Sequence, residues 1–144
     1  MTTSLPPRFL YDSCGLWIEA GNPRKQLPGS ATSHYAAWRG VAIEGEDGHV
    51  CLAARDTVLW QFGGFTFGHP QAIHDRHRAF VAAWWYNSYW FCNVPPCSPG
   101  GFELAYHLRP ASGPFDPRGM ERLHLAFLAE DAFHPLITRP PAPS

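Results

Sequence analysis

The sequence is poor in charged residues. Only 16% of its 144 residues are charged, Lys25 is the single lysine, and the formal net charge at pH 7 is −1. Proteins that bind nucleic acid or an anionic membrane surface usually carry a basic excess or a basic patch. The composition therefore gives no electrostatic reason to expect either partner.

Long apolar runs are also missing. No run of about 18 or more apolar residues is present, so no segment is predicted to span a membrane. Residues 1–4 lead into Pro6 and Pro7 without the apolar core of a secretory signal. We therefore expect a cytoplasmic protein with reduced thiols, and a disulfide between Cys92 and Cys97 is the alternative. The remaining cysteines are Cys14 and Cys51.

Known catalytic motifs are absent as well. The sequence contains no nucleophile elbow, no catalytic-triad pattern, no H-E-x-x-H motif and no Gly-rich phosphate loop. Asp56, Glu44 and Glu103 are candidate carboxylates for acid–base chemistry, but nothing in the sequence pairs two of them at glycosidase separation. Glu103 alternates with apolar residues and is expected to point away from the core. We predict no catalytic residue in this chain.

Three histidines form the most metal-like cluster. His69, His74 and His77 lie in a polar connection with Asp75, and imidazole and carboxylate groups bind zinc. Their H-x4-H-x2-H spacing matches no established zinc motif, and histidines in such a connection are commonly solvated. A small His-dependent metalloprotein is therefore the third of three functional hypotheses.

Aromatic residues, proline and glycine are plentiful. Aromatics make up 15% of the chain, with 15 Pro and 13 Gly, which favours many short strands joined by turns. Asp47-Gly48 is a hairpin signal. About seven strands are predicted, in residues 9–11, 14–20, 35–44, 49–54 and 56–63, with two more in 80–108.

Residues 80–108 are the most aromatic part of the chain. In the second half, Phe102, Leu104, Tyr106 and Leu108 alternate with other residues and are expected on one face of a half-buried strand. Pro and Gly between the halves predict two apolar strands joined by an irregular connection. The aromatic residues of the first half are Trp84, Trp85, Tyr86, Tyr89, Trp90 and Phe91.

A helix is predicted near the C-terminus. After a loop at 110–114, Asp116 is a suitable N-cap and Pro117 a suitable first helical residue. The helix is expected to end at Asp131, with a strand over 123–128 as the alternative. The predicted apolar stripe consists of Met120, Leu123, Phe127 and Leu128, with Leu125 off it.

The predicted fold is therefore an all-β antiparallel sandwich with one short C-terminal helix. Residues 1–33 are expected to supply N-terminal strands and a loop of the same domain. Residues 34–139 are expected to form the sandwich, and residues 140–144 a tail. A chain of this size is normally a single domain.

The tryptophans allow a second functional hypothesis, a free-standing carbohydrate-binding module. Trp84 and Trp85 occupy adjacent strand positions, so one of them must face outward or toward a partner. Trp85 or Trp17 would then be the exposed platform. The alternative is that most of these rings fill the space between two sheets. The tryptophans considered for stacking are Trp38, Trp60, Trp84, Trp85 and Trp90.

Two segments of the sequence resemble a known family. NSYWFCN at 87–93 precedes a Pro/Gly loop and GFELAYHL at 101–108, and VCLAARDTVLWQFG covers 50–63. They resemble the C-terminal β-sandwich region of glycoside hydrolase family 38, the α-mannosidase type, and 34–43 is similar to its leading strand. The residues that carry the resemblance are Asn87, Trp90, Asn93, Gly101 and Asp56.

The resemblance implies the first and preferred hypothesis, a non-catalytic domain. In that family the zinc ion, the aspartate nucleophile and the acid lie in an N-terminal α/β barrel, to which no part of this sequence corresponds. The chain would be a fragment or subunit that supports the barrel, with zinc only in that separate catalytic domain. The resemblance implies that Asn87 and Asn93 tie down a loop through bonds to backbone. The alternative is that they contact sugar together with Trp85.

Overall fold

The computed structural model of the chain describes residues 5–21, 33–64, 79–84, 100–101 and 103–132. Within these residues lie eight strands and one helix. The strands are β1 (Arg8–Ser13), β2 (Leu16–Glu19), β3 (His34–Ala36), β4 (Gly40–Glu44), β5 (Gly48–Ala54), β6 (Leu59–Phe62), β7 (Val81–Trp84) and β8 (Tyr106–Ser112), and the helix is α1 (Pro117–Ala132).

The strands form two antiparallel sheets. The large sheet has the order β2-β1-β4-β5-β8, and the small sheet has the order β3-β6-β7. The hairpin predicted at Asp47-Gly48 is confirmed and joins β4 to β5. At this turn the Gly45 N–H donates to the Gly48 carbonyl oxygen at 2.8 Å.

Alternation along the strands gives the large sheet two buried faces. In β1, Phe9 packs against the small sheet, whereas Leu10 packs beneath α1. In β4, Val41 faces the small sheet and Ala42 faces α1, as the two-residue period of a strand requires. The layers therefore run from the small sheet through the large sheet to the helix.

Aromatic rings fill the layer between the two sheets. Phe9 stacks on Phe62 of β6 with ring centroids 5.3 Å apart, and Tyr35 of β3 lies 5.5 Å from the same Phe62 ring. Trp60 of β6 is buried in this layer. The predicted all-β antiparallel sandwich with one C-terminal helix is confirmed.

Small side chains allow α1 to lie close to the large sheet. Ala42, Cys51 and Ala53 form the surface against which Met120 and Leu123 are buried. A bulkier residue at any of these sheet positions would push the helix outward, because packed interiors leave little free volume. In the part of the chain that the structure describes, no helix is both long and apolar enough to cross a membrane.

The predicted helix start is confirmed. Asp116 Oδ1 accepts the Arg118 N–H at 3.0 Å, which satisfies one of the unpaired donors of the first turn. Leu125 lies off the buried stripe, as predicted, and Phe127 is partly buried. The prediction for Leu128 is wrong, since it is 40% exposed. Each helical residue turns about 100°, so Leu128 is rotated away from the stripe that Phe127 shares.

The prediction of one strand over residues 35–44 is wrong. β3 ends at Ala36 in the small sheet, and β4 begins at Gly40 in the large sheet. Gly40 has φ +140° and is buried. A Cβ there would collide with the Leu52 carbonyl oxygen and lie 2.7 Å from Met120 Cε. The break is hidden in the sequence because β4 is apolar on both faces.

The predicted strand over residues 14–20 begins late. Cys14 and Gly15 form the two-residue turn between β1 and β2, with φ values of +53° and +90°. Such turns match the twist of the flanking strands. The Gly15 N–H donates to Asp12 Oδ1 at 2.9 Å, which holds the turn.

The strand predicted over residues 102–108 is also displaced. β8 starts at Tyr106 and continues through Pro110, which the sequence assigned to a loop. Tyr106 and Leu108 are 41% and 60% exposed, so their predicted burial is wrong. Leu104 is half-buried, and Phe102 lies outside the described residues. Pro110 is tolerated because β8 is an edge strand of the large sheet. The two strands of residues 80–108, β7 and β8, belong to different sheets.

Replacement of Gly40 by alanine tests the close approach of β4 to β5 and the helix. We expect Gly40→Ala to lower the free energy of unfolding by about 3 kcal/mol or more, because it combines backbone strain with a clash against backbone. Chemical denaturation measures the change. Gly101→Ala is the matched control, since a Cβ there meets no atom of the described residues within 4 Å, and its expected change is within about 0.5 kcal/mol. Equal stability of the two variants would contradict the packing described.

Candidate functional site

Most residues of the predicted sugar-contacting, structural-motif and histidine sets lie outside the described part of the chain. Gly101 and Asp56 are exceptions. Gly101 is exposed, and Asp56 is exposed beside Arg55, whose Nε lies 3.0 Å from its Oδ2. The residues outside the described part are Asn87, Trp85, Trp90, Asn93, His69, His74, His77, Cys92 and Cys97.

The three candidate carboxylates lie in different environments. Glu44 is buried at the end of β4, where Oε2 accepts from Arg8 Nη1 at 2.6 Å and Oε1 accepts the Phe115 N–H at 2.8 Å. The two oxygens therefore bind β1 and the segment just before α1, respectively. Glu103 is exposed, as predicted. Within the described residues, these side chains serve the fold or face solvent.

The tryptophans differ sharply in exposure. Trp60 is 1% exposed and Trp84 donates its Nε1–H to Gln61 Oε1 at 3.0 Å. Trp17 was one of the two rings expected to be an exposed platform. That expectation is wrong for Trp17, because it is half-buried and packs edge-on against Phe115 with ring centroids 4.8 Å apart. Trp38 is 67% exposed. Among the tryptophans that the structure describes, Trp38 therefore has the ring that a partner could contact.

The loop that carries Trp38, residues 37–39, is held on both sides. The Ala37 N–H donates to the Val58 carbonyl oxygen at 2.8 Å. Arg39 Nη1 pairs with Glu121 Oε1 of α1 at 3.0 Å. These bonds anchor the loop to the small sheet and to the helix, so the exposed ring is presented from a fixed backbone.

A polar pair lies between the large sheet and α1. Asp12 is 1% exposed, and its Oδ2 has no hydrogen-bond partner among the described residues. His124 Nδ1 is buried and likewise lacks a partner there. Burial and the Arg39 charge lower the pKa of His124, while Asp12 and a bond to the Arg39 backbone raise it. The balance favours a neutral imidazole under the helix.

A cavity of about 290 Å³ lies between β5, β8 and the first turns of α1. Cys51 and Arg109 face each other in the strand register, and both line it. His49 of β5 adds an imidazole to the wall, whereas Asp116 and Arg122 line the helix side. We call this the Arg109 cavity.

The Arg109 cavity brings together ionisable groups that the sequence did not associate with one another. Arg109 and Cys51 become neighbours only through the pairing of β5 with β8, which no local pattern reveals. Trp38 was among the candidate rings, but its exposure depends on the unrecognised break before Gly40. No protein-family model, no curated protein and no solved structure matches this chain.

Proposed function

We propose that this chain is a non-catalytic β-sandwich domain, as a fragment or subunit, of an α-mannosidase-like glycoside hydrolase. It supports a separate catalytic barrel and contributes to the sugar-binding rim. The single observation that carries this proposal is the two-sheet antiparallel sandwich, which is the architecture that the sequence resemblance implies.

The described parts of the resembling segments pack on one another. Residues 50–63 contain most of β5 and all of β6, and the segment 101–108 leads into β8. Thr57 Oγ1 and Tyr106 Oη share a hydrogen bond of 2.7 Å. The Trp60 ring meets the Tyr106 ring edge-on at 6.3 Å. This shared packing supports a common structural role for both segments.

The polar groups also support a structural role. Glu44 uses both carboxylate oxygens to join β4 to Arg8 and to Phe115. A general acid or base needs a proton-accepting atom within hydrogen-bond reach of substrate. Glu44 is instead buried, and both of its carboxylate oxygens accept hydrogen bonds from the protein itself. We therefore assign Glu44 a structural role.

Assay of the purified chain tests this proposal. We expect no hydrolysis of aryl α-mannosides, with or without added zinc, because the resemblance assigns the chemistry to another domain. We expect a stable complex with a family 38 catalytic barrel expressed without its own C-terminal region, detected by size-exclusion chromatography with light scattering. A serum albumin control should not co-elute. Turnover by the chain alone, or failure to bind any such barrel, would contradict the proposal.

A free-standing carbohydrate-binding module is the second candidate function. The specific observation in its favour is Trp38, which is 67% exposed on a loop fixed by the Ala37–Val58 and Arg39–Glu121 contacts. An aromatic ring held in place offers a large apolar face at little entropic cost on binding. Such a face can stack on the apolar side of a sugar ring.

Substitution of Trp38 tests the second candidate. We expect Trp38→Ala to weaken binding of manno-oligosaccharides by about tenfold, because it removes the stacking surface. Isothermal titration calorimetry measures the affinity. Leu125→Ala is the control, since Leu125 is 58% exposed on α1, and it should leave the affinity unchanged. If millimolar sugar gives no heat with the unmodified chain, or if Trp38→Ala binds equally well, this candidate is excluded.

A further inference from the structure

We propose that the Arg109 cavity binds a small oxyanion, namely a phosphate group or a carboxylate. This inference is independent of the proposed function, which does not use the cavity. The volume of about 290 Å³ lies at the lower end of ligand pockets, which range over roughly 300–1,000 Å³. It therefore suits a small ligand or the anionic end of a larger one, and not an oligosaccharide.

The charges in the cavity wall favour an anion. Arg109 and Arg122 supply two guanidinium groups against the single carboxylate of Asp116. Asp116 already accepts the Arg118 N–H at 3.0 Å, and its Oδ2 lies 3.4 Å from Arg122 Nη2. One positive charge therefore remains uncompensated within the wall.

Arg109 is the principal anion-binding group. Among the described residues, no carboxylate lies within ion-pair distance of its guanidinium. A guanidinium presents its N–H groups as a planar fork that matches two oxygens of a phosphate or a carboxylate. Its position in β8, opposite Cys51 in β5, places it over the cavity floor.

The pKa of the Cys51 thiol, at the floor of the cavity, depends on the charges of Arg109 and Asp116. Burial is the main cause that raises the pKa of Cys51 to about 11, while Arg109 opposes the rise and Asp116 adds to it. Both charged groups therefore lie near the sulfur, in agreement with the lining of the cavity. At neutral pH the thiol is uncharged and does not repel an anion.

His49 adds a second kind of contact. Its Nδ1 lies 3.0 Å from the Gly113 carbonyl oxygen, and a carbonyl only accepts, so Nδ1 carries the proton. In the neutral ring Nε2 is then the acceptor. The ring is further held edge-on to Phe115 at 5.7 Å. Because His49 lines the same cavity as the two arginines, the neutral ring would accept from the hydroxyl of an oxyanion such as hydrogen phosphate.

A metal ion fits these observations less well. His49, Cys51 and Asp116 are residue types that bind zinc, and they share this cavity. Within the described residues, however, no three such side chains are arranged to hold a metal. Two guanidinium groups also repel a cation in a partly enclosed space. Zinc therefore serves as the competing outcome of the test.

The test is isothermal titration calorimetry of the full chain with inorganic phosphate, glycerol 3-phosphate and acetate, at ionic strength kept constant with sodium chloride. We expect Arg109→Gln to weaken phosphate binding by about tenfold or more, because a charge-assisted bond is lost. Arg118→Gln is the control, because Arg118 is likewise an exposed arginine but does not line the cavity. The phosphate affinity of Arg118→Gln should stay within about twofold of that of the unmodified chain.

The three anions distinguish the ligand class. Acetate binding without phosphate binding would identify a carboxylate site, and tighter binding of glycerol 3-phosphate would identify a phosphomonoester site.

Three results would overturn the proposal. One is an equal loss of phosphate affinity in Arg109→Gln and Arg118→Gln, which would indicate general charge screening. Another is the absence of heat with all three anions at millimolar concentration. The third is stoichiometric zinc binding that Arg109→Gln strengthens, which would make the cavity a cation site. Circular dichroism of each variant ensures that a folded protein is compared.

Discussion

The burial of the large sheet on both faces is the constraint on which the rest of the structure depends. β4 lies in the middle of that sheet, with Val41 facing the aromatic layer and Ala42 facing the helix. Each side must be covered, since exposed apolar area costs about 25 cal/mol per Å². The small sheet covers one face and α1 the other, and small side chains under the helix set its distance. Gly40 marks the place where this crowding excludes any side chain.

The features encoded locally in the sequence could be predicted. The Asp47-Gly48 turn and the Asp116 cap each depend on the chemistry of a few adjacent residues, and both lie where expected. The sandwich followed from the number of short strands. The break between Ala36 and Gly40 could not be predicted, because a strand that is buried on both faces loses the alternation that marks strand ends.

Long-range pairing explains the other differences. β8 runs from Tyr106 to Ser112 because it pairs along the whole of β5, and this gain outweighs the presence of Pro110 at an edge. The Arg109 cavity arises from the same pairing together with the position of α1. No pattern in a single sequence places Arg109 opposite Cys51 and beside the start of the helix. The candidate site was therefore less predictable than the fold.

Helix α1 connects the two surfaces that carry the functional proposals. Its first turns form a wall of the Arg109 cavity, and Glu121 in the same turns anchors the Trp38 loop through Arg39. The shared helix is a consequence of the layered fold, in which α1 covers a face that the strands alone cannot bury.

Native-state amide hydrogen exchange tests the two-sided burial most directly, because it reports the stability of each strand separately. If the large sheet is covered on both faces, the amides of β4 and of its neighbours β1 and β5 exchange most slowly, with β2 and β8 faster at the edges. Exchange from β4 as fast as from those edge strands would contradict this account.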